Sequence, residues 1–139
     1  MAAIRSANTR PEIIVRKLLH AAGFRYRLHR KDLPGKPDLT LAKWNALIEV
    51  HGCFFHAHDC HLVRNPPAEN AEFWEKKLSG NAERDRRNAE AAEALGWRRL
   101  IIWQCAITGR TKLDPNDLRS RVSEWLRGRD TTAEIRGND

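Results

Sequence analysis

The chain has no run of eighteen apolar residues, so no segment is long and oily enough to cross a bilayer as a helix. Cysteine is scarce, with three in 139 residues. That is too few for the disulfide framework of a small secreted domain and leaves metal binding or simple burial as their uses. The opening residues, MAAIRSANTRPE, contain no apolar stretch of the kind that starts a secretory signal. The expected compartment is therefore the cytoplasm, with no membrane partner. Internal repeats and low-complexity linkers are absent too, and the length suits one domain with a real core.

What the chain has in excess is positive charge, +7 in all. Its placement matters more than its size. Residues 1–31 carry eight Lys or Arg (Arg5, Arg10, Arg16, Lys17, Arg25, Arg27, Arg30, Lys31) against one acid, Glu12. The rest of the chain is balanced, at seventeen of each sign. A basic end on an otherwise neutral domain fits a polyanion such as nucleic acid. A solvated basic helix face would give the same pattern.

Local signals order the elements. Thr9 and Glu12 have capping-box spacing and Pro11 suits a first turn, so a helix starts near Thr9. Ile14, Leu18 and Ala22 form an i, i+4 stripe, and Gly23 stops it. Strands are predicted over Phe24–Leu28, Leu39–Leu41 and Ala46–Val50, with LPGKPD as a turn and Lys43–Asn45 as a polar break. A loop rich in His and Cys runs to Pro66 and Pro67. A long helix over Glu72–Leu95 ends at Gly96. A buried strand over Trp97–Trp103 and a helix over about Asn116–Leu126 follow. The order is α-β-β-β-α-β-α, a mixed α/β domain with one sheet and flanking helices over residues 1–128. Residues 129–139 are expected to be a flexible tail.

Two clusters carry chemistry. The segment CFFHAHDCH at 53–61 holds Cys53, His58 and Cys60, and Cys105 follows the last strand. Thiolate and imidazole suit tetrahedral zinc, and four protein ligands make a closed, structural site. Such a site would tie the loop to the end of the last strand. His56 and His61 are alternative imidazoles, and Cys105 could instead be a core residue.

The second cluster is acidic. Asp38 begins one strand and Glu49 ends the next, so a hairpin would bring the two carboxylates together on a hard cation such as magnesium. That ion could polarise a scissile phosphate. His51 follows Glu49 by two residues, hence on the same face, where it could take a proton from the attacking water. Glu12 could join the site. Each also has an ordinary use: Asp38 in a turn, Glu49 in solvent, Glu12 as the capping acid.

Phe54, Phe55, Phe73 and Trp74 sit in or beside polar, His-rich sequence, where a core would struggle to bury all four. Apolar wedges next to basic residues are what proteins insert between base steps. Lys76, Lys77, Arg84, Arg86 and Arg87 on the following helix could hold the phosphates. Phe73 and Trp74 could equally be core residues under a loop.

The stretches RSANTRPE, LPGKPD, VHGCFFHAHDC, EFWEKKLSGNAERDRRN and LGWRRLIIWQCA, in this order and over nearly the whole chain, resemble the very short patch repair (Vsr) endonucleases, the mismatch-specific DNA nickases of bacteria. The resemblance implies a restriction-endonuclease-like, PD-(D/E)XK fold with a structural zinc site and magnesium-dependent hydrolysis. It implies a nick on the 5′ side of the T in a T·G mismatch that arises when 5-methylcytosine deaminates. By motif, Asp38 is the metal-binding aspartate, His51 and His56 are the catalytic histidines, and Glu12 is the helix-borne acid beside them. Cys53, His58, Cys60 and Cys105 fall on the zinc ligands, and Phe54, Phe55 and Trp74 on the wedge. The family offers the carbonyl of the residue at Val50 as a metal ligand. Glu49 stands where the family has an apolar residue and so adds a possible direct carboxylate. Phe55 stands where the family often has Trp, and the arm before the first helix is short.

The implied partners are double-stranded DNA with a T·G mismatch, mismatch-repair proteins and, functionally, a cytosine-5 methyltransferase. The implied setting is the bacterial nucleoid, and one constellation per chain implies a monomer. Two other readings compete: a restriction-type nuclease of the same fold that needs no mismatch, and a non-catalytic, zinc-stabilised DNA-binding module.

Overall fold

Helix α1 (Arg10–Ala21) begins where Thr9 caps it, its side chain accepting from the Glu12 N–H at 3.4 Å, with Pro11 in the first turn. It ends at Gly23, whose φ of +92° is open to glycine without strain, and Phe24 N–H closes back on Leu19 O at 3.0 Å. The computed structural model describes residues 8–53 and 70–138. The helix buries Val15 and Leu19 completely, while the expected stripe of Ile14, Leu18 and Ala22 packs partly buried beside them. The apolar face is therefore centred one residue later than the spacing indicated.

Among the described residues the sheet has five strands in the order β1-β2-β3-β4-β5. They are β1 (Arg27–Leu28), β2 (Leu39–Leu41), β3 (Ala46–His51), β4 (Arg98–Trp103) and β5 (Thr132–Ile135). β2 runs antiparallel to both its neighbours, β1 and β3, with Leu39 opposite Ile48 and Leu41 opposite Ala46. The β2–β3 connection is a 3-10 turn over Ala42–Trp44 closed by Asn45 at φ +53°, a conformation that Asn tolerates. β3, β4 and β5 are parallel. Parallel strands need crossovers, and helices α2 (Ala71–Ala94) and α4 (Pro115–Arg127) lie in those two connections.

Two expectations are corrected. The strand foreseen over Phe24–Leu28 pairs only at Arg27 and Leu28, because Phe24 turns into the core and meets Trp44 edge-to-face at 5.4 Å. The stretch foreseen as a flexible tail after Gly128 carries β5, which pairs with β4 from Arg99 to Ile102 and buries Ile135. The domain thus extends beyond residue 128. A short helix, α3 (Gln104–Ile107), also follows β4 directly.

The core lies between the sheet and helices α1, α3 and α4, with Leu39, Leu41, Ile48, Leu100, Ile102 and Val122 wholly buried. Arg98 clamps three elements. Its guanidinium donates to Trp44 O and Leu126 O at 2.8 Å and to Trp125 O at 2.9 Å, and stacks on the Trp125 ring at 4.6 Å. It satisfies carbonyls at the end of α4 that the helix leaves unpaired. Helix α2 buries only Ala92. It touches the LPGKPD turn, where a Cβ on Gly35 (φ +75°) would meet Asn88 at 3.1 Å. Among the described residues no helix is long and apolar enough to cross a membrane.

Candidate active site

The strand directions bring the chemistry-bearing residues to one end of the sheet. β3 and β4 end at His51 and Trp103, β2 starts after Asp38, and β1 ends just before His29. The first turn of α1 adds Glu12. In open α/β sheets this end, beyond the carboxyl ends of the parallel strands, is where ligands bind.

Asp38 follows the expected hairpin logic. Its Oδ2 accepts from the Val50 backbone N–H at 2.7 Å. Glu12, 2% exposed, lies against it from α1. Ligand atoms of Glu12, His29 and Asp38 all fall within 4.8 Å of one another. His29 Nε2 is 2.9 Å from Glu12 Oε2 and 4.0 Å from Asp38 Oδ1, and Arg16 donates to the same Glu12 oxygen. Burial, together with the neighbouring Glu12 and Glu49 charges, pushes the Asp38 carboxyl up to about 8 against the pull of the Val50 N–H. Glu12 goes the other way. Burial would raise it, but hydrogen bonds from His29, Asp38 and Arg16 hold it below the usual range. Two carboxylates thus meet in a buried place, one of them reluctant to ionise without a cation. That is a donor set suited to a divalent ion.

Glu49 has a different environment from the one expected. Its carboxylate pairs with Arg99 of β4 and lies 3.3 Å from His51 Nε2. Burial opposes its charge, but His51 and Arg99 outweigh it and bring the carboxyl down to about 2. It is not one of the three grouped donors. Val50 contributes its N–H to Asp38. His51 shares a face with Glu49, as the two-residue spacing required, and packs edge-to-face on Trp103 with ring centroids 5.2 Å apart. The Trp103 indole N–H donates to Glu134 of β5 at 2.7 Å.

Of the four cysteine and histidine residues foreseen around zinc, Cys53 and Cys105 are buried in one cluster with Trp103. The Gly137 backbone N–H donates to Cys105 Sγ at 3.3 Å. His58 and Cys60, like His56, Phe54 and Phe55, lie outside the described residues. On α2, Trp74 is half-buried and meets the 59%-exposed Phe73 edge-to-face at 5.4 Å, while Lys76, Lys77 and Arg84 are exposed.

Sequence reasoning missed His29 and Arg99. His29 belongs to no spaced motif; it stands between Leu28 and Arg30 in a basic run and is placed by a backbone φ of +47°. Arg99 did leave a signal. A charged residue inside a strand read as buried needs an opposite charge nearby.

The structure defines a mixed α/β protein with a carboxylate–imidazole cluster at one end of its sheet, compatible with a nuclease fold. Sequence comparison names the family. The profile of the family described as DNA mismatch endonuclease Vsr matches residues 1–62. The chain is 41% identical over 135 residues to the DNA mismatch endonuclease Vsr of Escherichia coli (strain K12), covering 97% of this chain and 86% of that protein. It is 45% identical over 108 residues to the type II nicking enzyme V.XorIIP of Xanthomonas oryzae pv. oryzae, covering 78% and 79% of the two chains. The type II nicking enzyme V.NmeAIP of Neisseria meningitidis serogroup A / serotype 4A matches at 38% over 110 residues, covering 79% and 78%. The chain belongs to the Vsr DNA mismatch endonuclease family.

Proposed function

We propose that this chain is a very short patch repair endonuclease of the bacterial cytoplasm that hydrolyses one phosphodiester on the 5′ side of the T in a T·G mismatch, with magnesium. Membership of the Vsr family supports endonuclease action, and the names of the relatives V.XorIIP and V.NmeAIP, both nicking enzymes, support a single-strand cut. The observation that carries the chemistry is the meeting of the buried Glu12 with the half-buried Asp38 in one cluster at the sheet end, with His51 two residues past Glu49 on the adjoining strand.

Asp38, with Glu12 beside it and the Val50 carbonyl, would hold the magnesium. When bound, that ion polarises the scissile phosphate and stabilises the leaving oxygen. The remaining work belongs to side chains. His51, oriented by Glu49 and by the Trp103 ring, takes the proton of the attacking water, and His56 assists as the second imidazole. Arg99 keeps Glu49 ionised and so keeps its hold on His51. Lys76, Lys77 and Arg84 on α2 contact phosphates, which set position rather than sequence. Phe54, Phe55 and Trp74 wedge into the duplex, where a mismatched pair costs less to unstack than a matched one. Cys53, His58, Cys60 and Cys105 would hold a structural zinc that ties the segment between β3 and α2 to the end of β4.

A labelled duplex carrying T·G, compared with the same duplex carrying C·G, tests the proposal. Cleavage confined to the T strand of the mismatch is expected. Equal cleavage of both duplexes would make the chain a restriction-type nuclease, and binding without cleavage in magnesium would make it a binding module.

A further inference from the structure

His29 Nε2 faces both carboxylates at once, at 2.9 Å from Glu12 Oε2 and 4.0 Å from Asp38 Oδ1. Donors on neighbouring positions of an octahedral ion lie about 3 Å apart and opposite donors about 4.2 Å apart, for bonds of about 2.1 Å. The two separations fall within that range. The other Asp38 oxygen is engaged by the Val50 N–H, so Oδ1 is the oxygen left facing the cluster. Arg16 neutralises one of the two negative charges through Glu12 and leaves the second to a cation. The backbone supports the same placement: the His29 N–H donates to the Asp38 carbonyl at 3.2 Å, so the residue is pinned beside Asp38 from both ends.

From this geometry we infer that His29 is a direct ligand of the divalent ion. The site is then a two-carboxylate, one-imidazole centre that binds a transition ion such as Mn²⁺ more tightly than the Mg²⁺ proposed for hydrolysis. Nitrogen donors favour first-row transition ions, whereas magnesium holds to oxygen and water. In this state Nε2 coordinates through its lone pair and Nδ1 keeps the ring proton. The inference rests on reading Glu12 and Asp38 as cation-binding acids.

The test uses metal binding without DNA, on the full chain as purified. Mn²⁺ is titrated by electron paramagnetic resonance, and the bound ion is probed by spin-echo modulation from a coordinated imidazole nitrogen. His29→Gln is the main variant, because Gln keeps a donor for Glu12 and removes the imidazole; Asp38→Asn is the control. Nitrogen modulation is expected in the parent and not in His29→Gln. Mn²⁺ affinity should fall at least about tenfold in His29→Gln, while Mg²⁺ affinity, read by competition, should move less than about threefold. Bound Mn²⁺ without nitrogen modulation in the parent, which requires no variant to fold, overturns the inference. So does modulation that persists in His29→Gln. If Asp38→Asn loses the ion and His29→Gln does not, the acids hold a cation and His29 is no ligand. If the parent binds no Mn²⁺, both readings fail.

Discussion

At Asp38, burial and the adjacent Glu12 raise the carboxyl from the ordinary 3.8 to about 8. The folded chain therefore keeps a proton that the unfolded chain has released once the pH passes about 4. Stability contributed here is present at low pH, falls as pH rises toward 8, and is level above it. In chelator-treated buffer, Asp38→Asn should be more stable than the parent at pH 8, by about 1–3 kcal/mol, and should lose that advantage near pH 4. Denaturant unfolding at the two pH values measures it, and the variant should not nick. A variant no more stable than its parent at pH 8 would mean that the carboxyl is not held in its protonated form.

Glu49 shows the opposite sign. His51 and Arg99 bring its carboxyl from 4.5 to about 2, so its contribution is present above pH 4.5 and is lost as pH falls toward 2. Glu49→Gln should cost about 1.5–3 kcal/mol at pH 7, the usual range for a hydrogen bond to a charged group. The gap to the parent should close in acid. With its carboxylate committed to Arg99, the variant should also need no more magnesium for half-maximal nicking. A titration of nicking rate against magnesium decides this, and a right-shifted curve would return Glu49 to the ligand set.

Among the elements, β5 does more than its four residues promise. It completes the parallel part of the sheet, buries Ile135, and supplies Glu134 to the Trp103 indole that backs His51. Just beyond it, Gly137 lies so close to Cys105 O and Thr111 O that a Cβ would approach them to 2.3 and 2.7 Å. A chain ended at Gly128 should therefore lose at least about 2 kcal/mol, the scale of one buried Ile side chain, rather than melt like the parent. An unchanged melting temperature would restore the reading of this segment as a tail. Helix α2 is the contrasting element. Long, charged and buried only at Ala92, it is anchored at Gly35 and along β4 and leaves most of its surface exposed.

For the molecule as a whole, one Glu12–Asp38 cluster and one His51 per chain permit one hydrolysis per docking event. A two-fold dimer would suit a palindrome, whereas a T·G mismatch makes the two strands different. The chain should sediment as a monomer under nicking conditions and cut only the T strand, read by labelling each strand in turn on a denaturing gel. Equal cutting of the G strand by a monomer would refute the assignment. Elemental analysis should find one zinc per chain, and Cys105→Ala should lower stability by several kcal/mol, because structural zinc binding is coupled to folding. Zinc-free protein of full stability would leave Cys53 and Cys105 as plain core residues.

Local physics was legible along the chain. The Thr9 cap, the Gly23 and Gly96 stops and the polar break at Lys43–Asn45 act over a few residues, and helices α1, α2 and α4 and strands β2 to β4 stand where those signals put them. The hairpin that sets Asp38 beside β3 was legible for the same reason, since its turn is short. What the sequence could not settle by itself depends on approach between distant segments. A polar stretch such as Thr132–Ile135 becomes a strand only because β4 presents an open edge to it. Glu49 pairs with Arg99 only because β4, a parallel neighbour fifty residues away in sequence, carries the guanidinium beside it. His29 reaches Glu12 across seventeen residues only after α1 has packed on the sheet. Burial and long-range charge pairing belong to the folded arrangement, and they decided which of the candidate side chains share one site.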